Sequence, residues 1–297
     1  MDRPVSSYDS FDVPVPGGDL RVGRWTAADP AAPVVVAAHG VTANHRTWAL
    51  VAERAEVTVV APDLRGRGRS AALQGEAGMV RHAEDLLAVL DHLHLDTAVV
   101  VGHSMGGFVA AAFADRHPDR TATLVLLDGG LPLPPPPAGT TPEEALNATL
   151  GPAAQRLTMT FASEADYLDF WRPHPALRED WGPAVEDYLS YDLVGEPPGL
   201  RSSVALAALE DDTRDQLDPD GIDARLRRAP QGTVFLRAGF GLLAEPGGLY
   251  PPDLAAEYAR RYPNLEIRHL EDVNHYTLLL GATGAAAVAK LLTEVTR

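Results

Sequence analysis

Six short apolar runs, each followed by a helical pattern or a loop, constrain this chain more than any other feature. They are Pro33–Ala38, Val57–Ala61, Thr97–Val101, Thr123–Leu127, Thr233–Ala238 and Leu265–Leu270. Most are nearly continuous in Val, Leu, Ile and Ala rather than alternating, which suits strands covered on both faces, as in a parallel sheet. Helical patterns lie between them. Val80–Leu93 places Leu86, Leu87, Leu90 and Leu93 on one face, Gly106–His117 is Ala-rich, and Leu254–Arg261 and Thr283–Thr296 follow later. Strands alternating with helices predict an α/β fold with a mostly parallel central sheet and helices on both faces. An opening hairpin is predicted from Phe11–Val15 and Leu20–Trp25, which flank the turn cluster Pro16-Gly17-Gly18-Asp19.

One stretch breaks the alternation. Residues 131–230 hold no clear buried strand. The stretch opens on Leu131-Pro132-Leu133-Pro134-Pro135-Pro136-Pro137, which should be stiff and extended. Helical segments then carry Phe161, Tyr167, Phe170, Trp171, Trp181, Tyr188 and Tyr191. The expected organisation is a core of residues 1–130 and 231–297, interrupted by a helical cap over 131–230. The cap's aromatics serve its own packing first and the walls of a pocket second.

Gly102-His103-Ser104-Met105-Gly106 fits G-x-S-x-G, directly after an apolar strand and at the start of a helix. A sharp strand-to-helix turn there lifts the Ser104 hydroxyl above the sheet, with glycines relieving the crowding. The helix N-terminus behind it favours developing negative charge. A serine hydroxyl is almost unionised at neutral pH and needs a base. Of the 10 histidines, His275 follows the last strand, at the same sheet end as Ser104. His269 lies inside that strand, and His92 and His94 read as a solvated helix end. The base needs an acid to orient it. Asp128 ends the strand next to that of Ser104 and is the first choice. Glu245, in a Gly-rich loop after the following strand, is the alternative. Ala38-His39-Gly40-Val41 ends an early strand with small residues, so the Val41 and Met105 N–H groups are assigned to an oxyanion hole. His39, Gly40, Phe170, Trp171 and Tyr276 are expected to line the substrate pocket.

Together, His39-Gly40, Asp63-Leu64-Arg65-Gly66-Arg67-Gly68-Arg69-Ser70, the Ser104 elbow and Asn274-His275 resemble the α/β-hydrolase fold superfamily in order and spacing. The resemblance covers nearly the whole chain, with 131–230 matching the family's variable cap. It implies a Ser-His-Asp triad. One position departs from the family's commonest pattern. Its usual acid lies three or four residues after the Gly of the strand before the last, and here those positions are Leu242 and Leu243. Some branches carry the acid at the end of the strand after the elbow, where Asp128 stands. A serine nucleophile separates the chain from the dehalogenase and epoxide hydrolase branches.

The expected activity is hydrolysis of an ester, lactone or related acyl bond in a small hydrophobic or aryl substrate. Carbon–carbon hydrolysis, thioester hydrolysis, acyl transfer, cofactor-free haloperoxidase or perhydrolase chemistry and receptor-like ligand sensing are the alternatives. With no cysteine, thiolate nucleophiles and Cys-held metals are excluded. No cofactor is expected, because there is no P-loop or metal-ligand cluster, and Gly66-Arg67-Gly68 lacks the third glycine of a dinucleotide fingerprint. A net charge of −16 argues against nucleic acid and anionic membranes as partners. Met1-Asp2-Arg3-Pro4-Val5 shows no signal-peptide pattern, so a cytoplasmic protein is expected.

Overall fold

The computed structural model describes residues 7–134, 139, 150–216 and 218–297. Of the proline run, Pro135–Pro137 lie outside the described residues. The main sheet has eight strands: β1 (Ser7–Val15), β2 (Gly18–Thr26), β3 (Val34–Ala38), β4 (Thr58–Pro62), β5 (Ala98–His103), β6 (Thr121–Leu127), β9 (Thr233–Phe240) and β10 (Leu265–Asn274). Their order is β1-β2-β4-β3-β5-β6-β9-β10. The hairpin β1–β2 and the β2–β4 pair are antiparallel, and the remaining five pairings are parallel.

Successive strand residues face opposite sides, so each near-continuous apolar run feeds two cores. Val36, Ala38 and Val100 pack with α1 (Met79–His92) and α2 (Met105–Arg116). Val35, Ala37, Val99 and Val101 pack with Trp48, Val51, Leu278 and α8 (Ala282–Val295) on the other face. Beyond the first face lie α6 (Pro219–Arg228) and α7 (Pro252–Arg261). No helix among the described residues is long and apolar enough to cross a membrane.

The helical segments within 150–216 pack into one cluster that also takes in Leu242 and Leu280 from the rest of the fold. Phe161, Tyr167, Trp171, Leu177, Val185, Tyr188 and Leu189 cluster together, on α3 (Glu164–Trp171), α4 (Pro183–Asp192) and the segments around them. A two-stranded ribbon, β7 (Leu193–Val194) with β8 (Arg201–Ser202), follows, and then α5 (Leu206–Gln216). Two details differ from the sequence reading. The ribbon is too short to leave a periodic signal. The boundary at residue 230 is also too late, because α6 buries Ile222 and Leu226 in the core cluster of α2, not in the cap.

Candidate active site

The parallel strands end along one rim of the sheet, and the site is built there. Ser104 connects β5 to α2 with φ 56° and ψ −124°, a conformation that L residues rarely adopt. The neighbours make it possible. A Cβ on Gly102 would stand 1.9 Å from the Gly106 carbonyl oxygen, and one on Gly106 would stand 2.2 Å from that of Ala38. Gly129, from the loop after β6, passes so close that its Cβ would be 2.0 Å from the Ser104 carbonyl oxygen. Each contact is with backbone, which cannot swing away. Gly102→Ala is therefore expected to destabilise the fold by about 3 kcal/mol or more, read by urea unfolding. Wild-type stability in that variant would mean the elbow relaxes freely.

His275 sits in the turn after β10 and is 3% exposed. Its Nδ1 donates to Asp128 Oδ2 at 2.7 Å, so its Nε2 carries the lone pair. Asp128 is fully buried, and its other oxygen accepts the Ala238 N–H at 3.1 Å. The Asp128 N–H is bonded to the Leu236 carbonyl. Asp128 is thus held from β9 at both its backbone and its side chain. The His275 turn is equally fixed. Asn274 Oδ1 accepts the N–H groups of Tyr276 and Thr277, and its Nδ2 reaches the cap at the Ala176 carbonyl. His103 Nε2–H donates to the His275 carbonyl at 2.9 Å. Burial holds the His103 imidazole far below its usual range, so it stays neutral.

Ser104 and His275 line one pocket, together with Gly40, Val41, Tyr188, Leu242, Tyr276 and Leu280. The pocket encloses about 400 Å³, its open mouth included. No Ser104–His275 hydrogen bond is formed here, and catalytic contacts in ligand-free sites are often loose until substrate arrives. Glu245 is elsewhere. It is exposed and its carboxylate accepts the nearby Leu243 N–H, so of the two acids considered only Asp128 meets His275.

Val41 and Met105 flank Ser104 from two elements. Among the described residues neither backbone N–H finds an acceptor. A Cβ on Gly40 would stand 3.2 Å from Ser104 Cβ, so this loop lies against Ser104. The Gly40 carbonyl is held by His39 Nδ1 at 2.8 Å and by the Ala43 N–H at 3.1 Å. In a trans peptide the N–H points opposite to the C=O, so fixing that carbonyl aims the Val41 N–H the other way.

Three expected pocket residues are not there. His39 is fully buried behind the loop, with Nε2 accepting the Leu64 N–H at 2.9 Å. Burial lowers its pKa to about 3, which keeps it neutral. Phe170 and Trp171 face the cap's interior. Phe170 meets Phe161 edge-on, and Trp171 meets Tyr167 edge-on. The helical period turns both inward, to a core that a lone sequence cannot place. Leu242, Leu280 and Tyr188 line the pocket instead, and no local pattern marks the first two. Asp63 also pairs with a histidine, His45, at 2.7 Å. There Tyr8 occupies the second ring nitrogen and Tyr191 the second carboxylate oxygen, so no lone pair is left for chemistry. No group of three His, Asp or Glu among the described residues could hold a metal ion.

Residues 33–187 match the family model for the alpha/beta hydrolase fold. Lipase LipV of Mycobacterium tuberculosis is 40% identical over 116 residues, which are 39% of this chain and 43% of that one. The bifunctional esterase/perhydrolase DCH of Acinetobacter calcoaceticus is 36% identical over 121 residues, again 39% and 43%. The chain thus spans less than half the length of these curated relatives. Among solved structures, E-2-(acetamidomethylene)succinate hydrolase superposes with a TM-score of 0.76 at 18% identity, covering 97% of this chain and 99% of that one. The thioesterase domain from the curacin biosynthetic pathway gives 0.73 at 21%, with the same coverage. At such identities these two speak for the fold alone. With more than half of its length matching the family model and the sheet order of its core complete, the chain belongs to the α/β-hydrolase fold family.

Proposed function

We propose that the protein is a serine hydrolase cleaving an ester, lactone or related acyl bond in a small apolar substrate. The observation that carries this reading is the 2.7 Å bond between His275 Nδ1 and buried Asp128, with the ring opening onto the pocket that Ser104 lines. Ser104 Oγ attacks the carbonyl carbon while His275 Nε2 takes its proton. Asp128 stabilises the imidazolium, and the Val41 and Met105 N–H groups receive the oxyanion. The leaving alcohol takes the proton from His275. Water then loses a proton to His275, attacks the acyl group and frees Ser104 as the carboxylic acid departs. The leucines and tyrosines of the pocket favour an apolar acyl or aryl group, and its size favours a short one.

Two measurements test this. A fluorophosphonate should add its phosphonyl mass to the peptide bearing Ser104. A p-nitrophenyl ester series should show kcat/KM falling beyond about six acyl carbons, because Tyr188, Leu242, Tyr276 and Leu280 close around Ser104. Absence of labelling, together with equal hydrolysis by Ser104→Ala, would overturn the reading. Perhydrolysis is a second reading, favoured by the similarity to an esterase/perhydrolase. Peroxide would then replace water in attacking the acyl group, and peracid formation would report it.

A further inference from the structure

We propose that two buried arginines, Arg67 and Arg156, are positioning residues that clamp the loop after β3 and make the oxyanion hole depend on the cap. The proposal rests on the hydrolase reading above.

Both guanidiniums are almost completely removed from solvent, Arg67 at 0% and Arg156 at 2% exposure. Burying such a charge costs several kcal/mol unless it is paired and its remaining N–H groups are satisfied. Each is paired with a carboxylate that the sequence supplies from residues 183–216. Arg67 meets Asp212 on α5, and Arg156 meets Asp192 on α4. Each carboxylate is itself anchored. Asp212 accepts the Gly78 N–H and contacts His82, while Asp192 accepts hydroxyls from Tyr167, Ser202 and Ser203.

Of the remaining N–H groups, Arg67 Nη1 also serves the Arg65 carbonyl and Arg156 Nη1 the Ala153 carbonyl, and one from each arginine reaches successive carbonyls of the loop after β3. Arg67 Nε donates to the Val41 carbonyl at 2.9 Å, and Arg156 Nη2 donates to the Thr42 carbonyl at 2.7 Å. Arg67 Nη2 also lies 3.8 Å from Met105 Sδ, so one guanidinium touches both oxyanion residues. The Ala43 N–H to Gly40 carbonyl bond makes Gly40–Ala43 a tight turn with Val41 and Thr42 at its centre. Turns of this kind interconvert by flipping the central peptide, which reverses its carbonyl. Here such a flip would pull the Val41 carbonyl off Arg67. With His39 on the preceding carbonyl and Arg156 on the following one, three consecutive peptides are held. Fixed donors are what make an oxyanion hole effective, since they need no reorganisation during reaction. Asn44 adds a third tie, donating from Nδ2 to the Tyr188 carbonyl on α4. Neither arginine touches the reacting atoms. Both act through the loop.

The test uses Arg67→Lys, Arg156→Lys and the double variant Arg67→Met with Asp212→Leu, which removes both charges so that neither is left unpaired. Lysine keeps the charge but lacks the planar fork needed to bridge carboxylate and carbonyl together. The expected result is kcat reduced about 100-fold with KM within about threefold, the size of losing one oxyanion donor. Affinity for a trifluoromethyl ketone analogue should fall by the same factor. Amide exchange should rise over residues 39–48 in all three variants, and outside that loop only at the arginines' own anchors, such as the Gly78 N–H that Asp212 accepts. Unchanged kcat and analogue affinity in folded variants would overturn the proposal, as would faster exchange spread over the whole chain. If the wild type shows no turnover beyond that of Ser104→Ala, the hydrolase reading fails. Loop exchange then decides the clamp alone, with no change in 39–48 overturning it.

Discussion

Replacing Ser104 by alanine is expected to lower kcat on an activated ester by about 10⁵-fold. Asp128→Asn is expected to lower it by about 10⁴-fold, and Glu245→Gln to leave it within about twofold. The first loss removes the attacking oxygen, leaving only what binding and the oxyanion donors provide. The second follows from the tautomer. Asp128 accepts from His275 Nδ1–H and so keeps the Nε2 lone pair free for the serine proton. An asparagine there can donate its N–H₂ to Nδ1, which moves the ring proton to Nε2 and blocks proton transfer. The backbone geometry survives, because the Ala238 N–H still finds the side-chain oxygen. Glu245 serves only its own loop through the Leu243 N–H. Steady-state kinetics on p-nitrophenyl acetate separate these outcomes. A large loss in Glu245→Gln with near-normal Asp128→Asn would move the acid to the loop after β9.

The parts of this site differ in how far sequence alone exposes them, and the difference is one of range. Ser104 was legible because an elbow is local: strand, glycine, serine, glycine and helix occupy adjacent positions, and steric need fixes each. Asp128 and His275 lie 147 residues apart. What made them legible was the sheet, since apolar runs mark strand ends and parallel strands end on one rim. His39 was misjudged because its neighbour Gly40 does reach the pocket. Only the Leu64 N–H, 25 residues on, shows that the imidazole faces backwards. Phe170 and Trp171 failed for a related reason, as aromatic content announces a core before it announces a pocket. Arg67 stood in the motif that carried the resemblance, yet nothing in the sequence near it or Arg156 shows the burial of either or the carboxylates of α4 and α5 they meet. The end of the cap was misplaced because α6 is helical like its predecessors and differs only in the surface it buries.

Stability is expected to fall steeply as pH drops from 7 to 5, well before the carboxylates titrate. Three buried histidines are held neutral. His39 is lowered to about 3 and His174 to about 4, both by burial, and His103 lies well below its ordinary range. In the unfolded chain each would titrate near ~6.5. Below that pH the unfolded state binds a proton at each ring that the native state refuses. Stability therefore rises with pH across the window between native and unfolded pKa values, and is lost as pH falls. Each ring contributes up to about 1.4 kcal/mol per pH unit. From pH 7 to 5 that accumulates to roughly 2 kcal/mol each for His39 and His174, about 4 together, with His103 acting in the same direction, against a total of about 5–15 for a folded domain. Asp63 and Asp212 act in a separate, lower window. Burial alone would raise both, but His45 and backbone donors hold Asp63, and Arg67 and His82 hold Asp212, at about 2. Their contribution is complete above the unfolded carboxylate pKa and fades between about pH 4 and 2. Urea midpoints at pH 8, 6.5 and 5 measure the upper window, and a flat profile there would refute it. His174→Gln isolates one ring without touching Ser104, His275 or Asp128. His174 lies between the rings of Trp171 and Tyr276, and its Nε2 has no hydrogen-bond partner among the described residues. An uncharged amide there removes one proton from the linkage, so the pH 5–6.5 slope should become shallower while the pH 8 midpoint moves little.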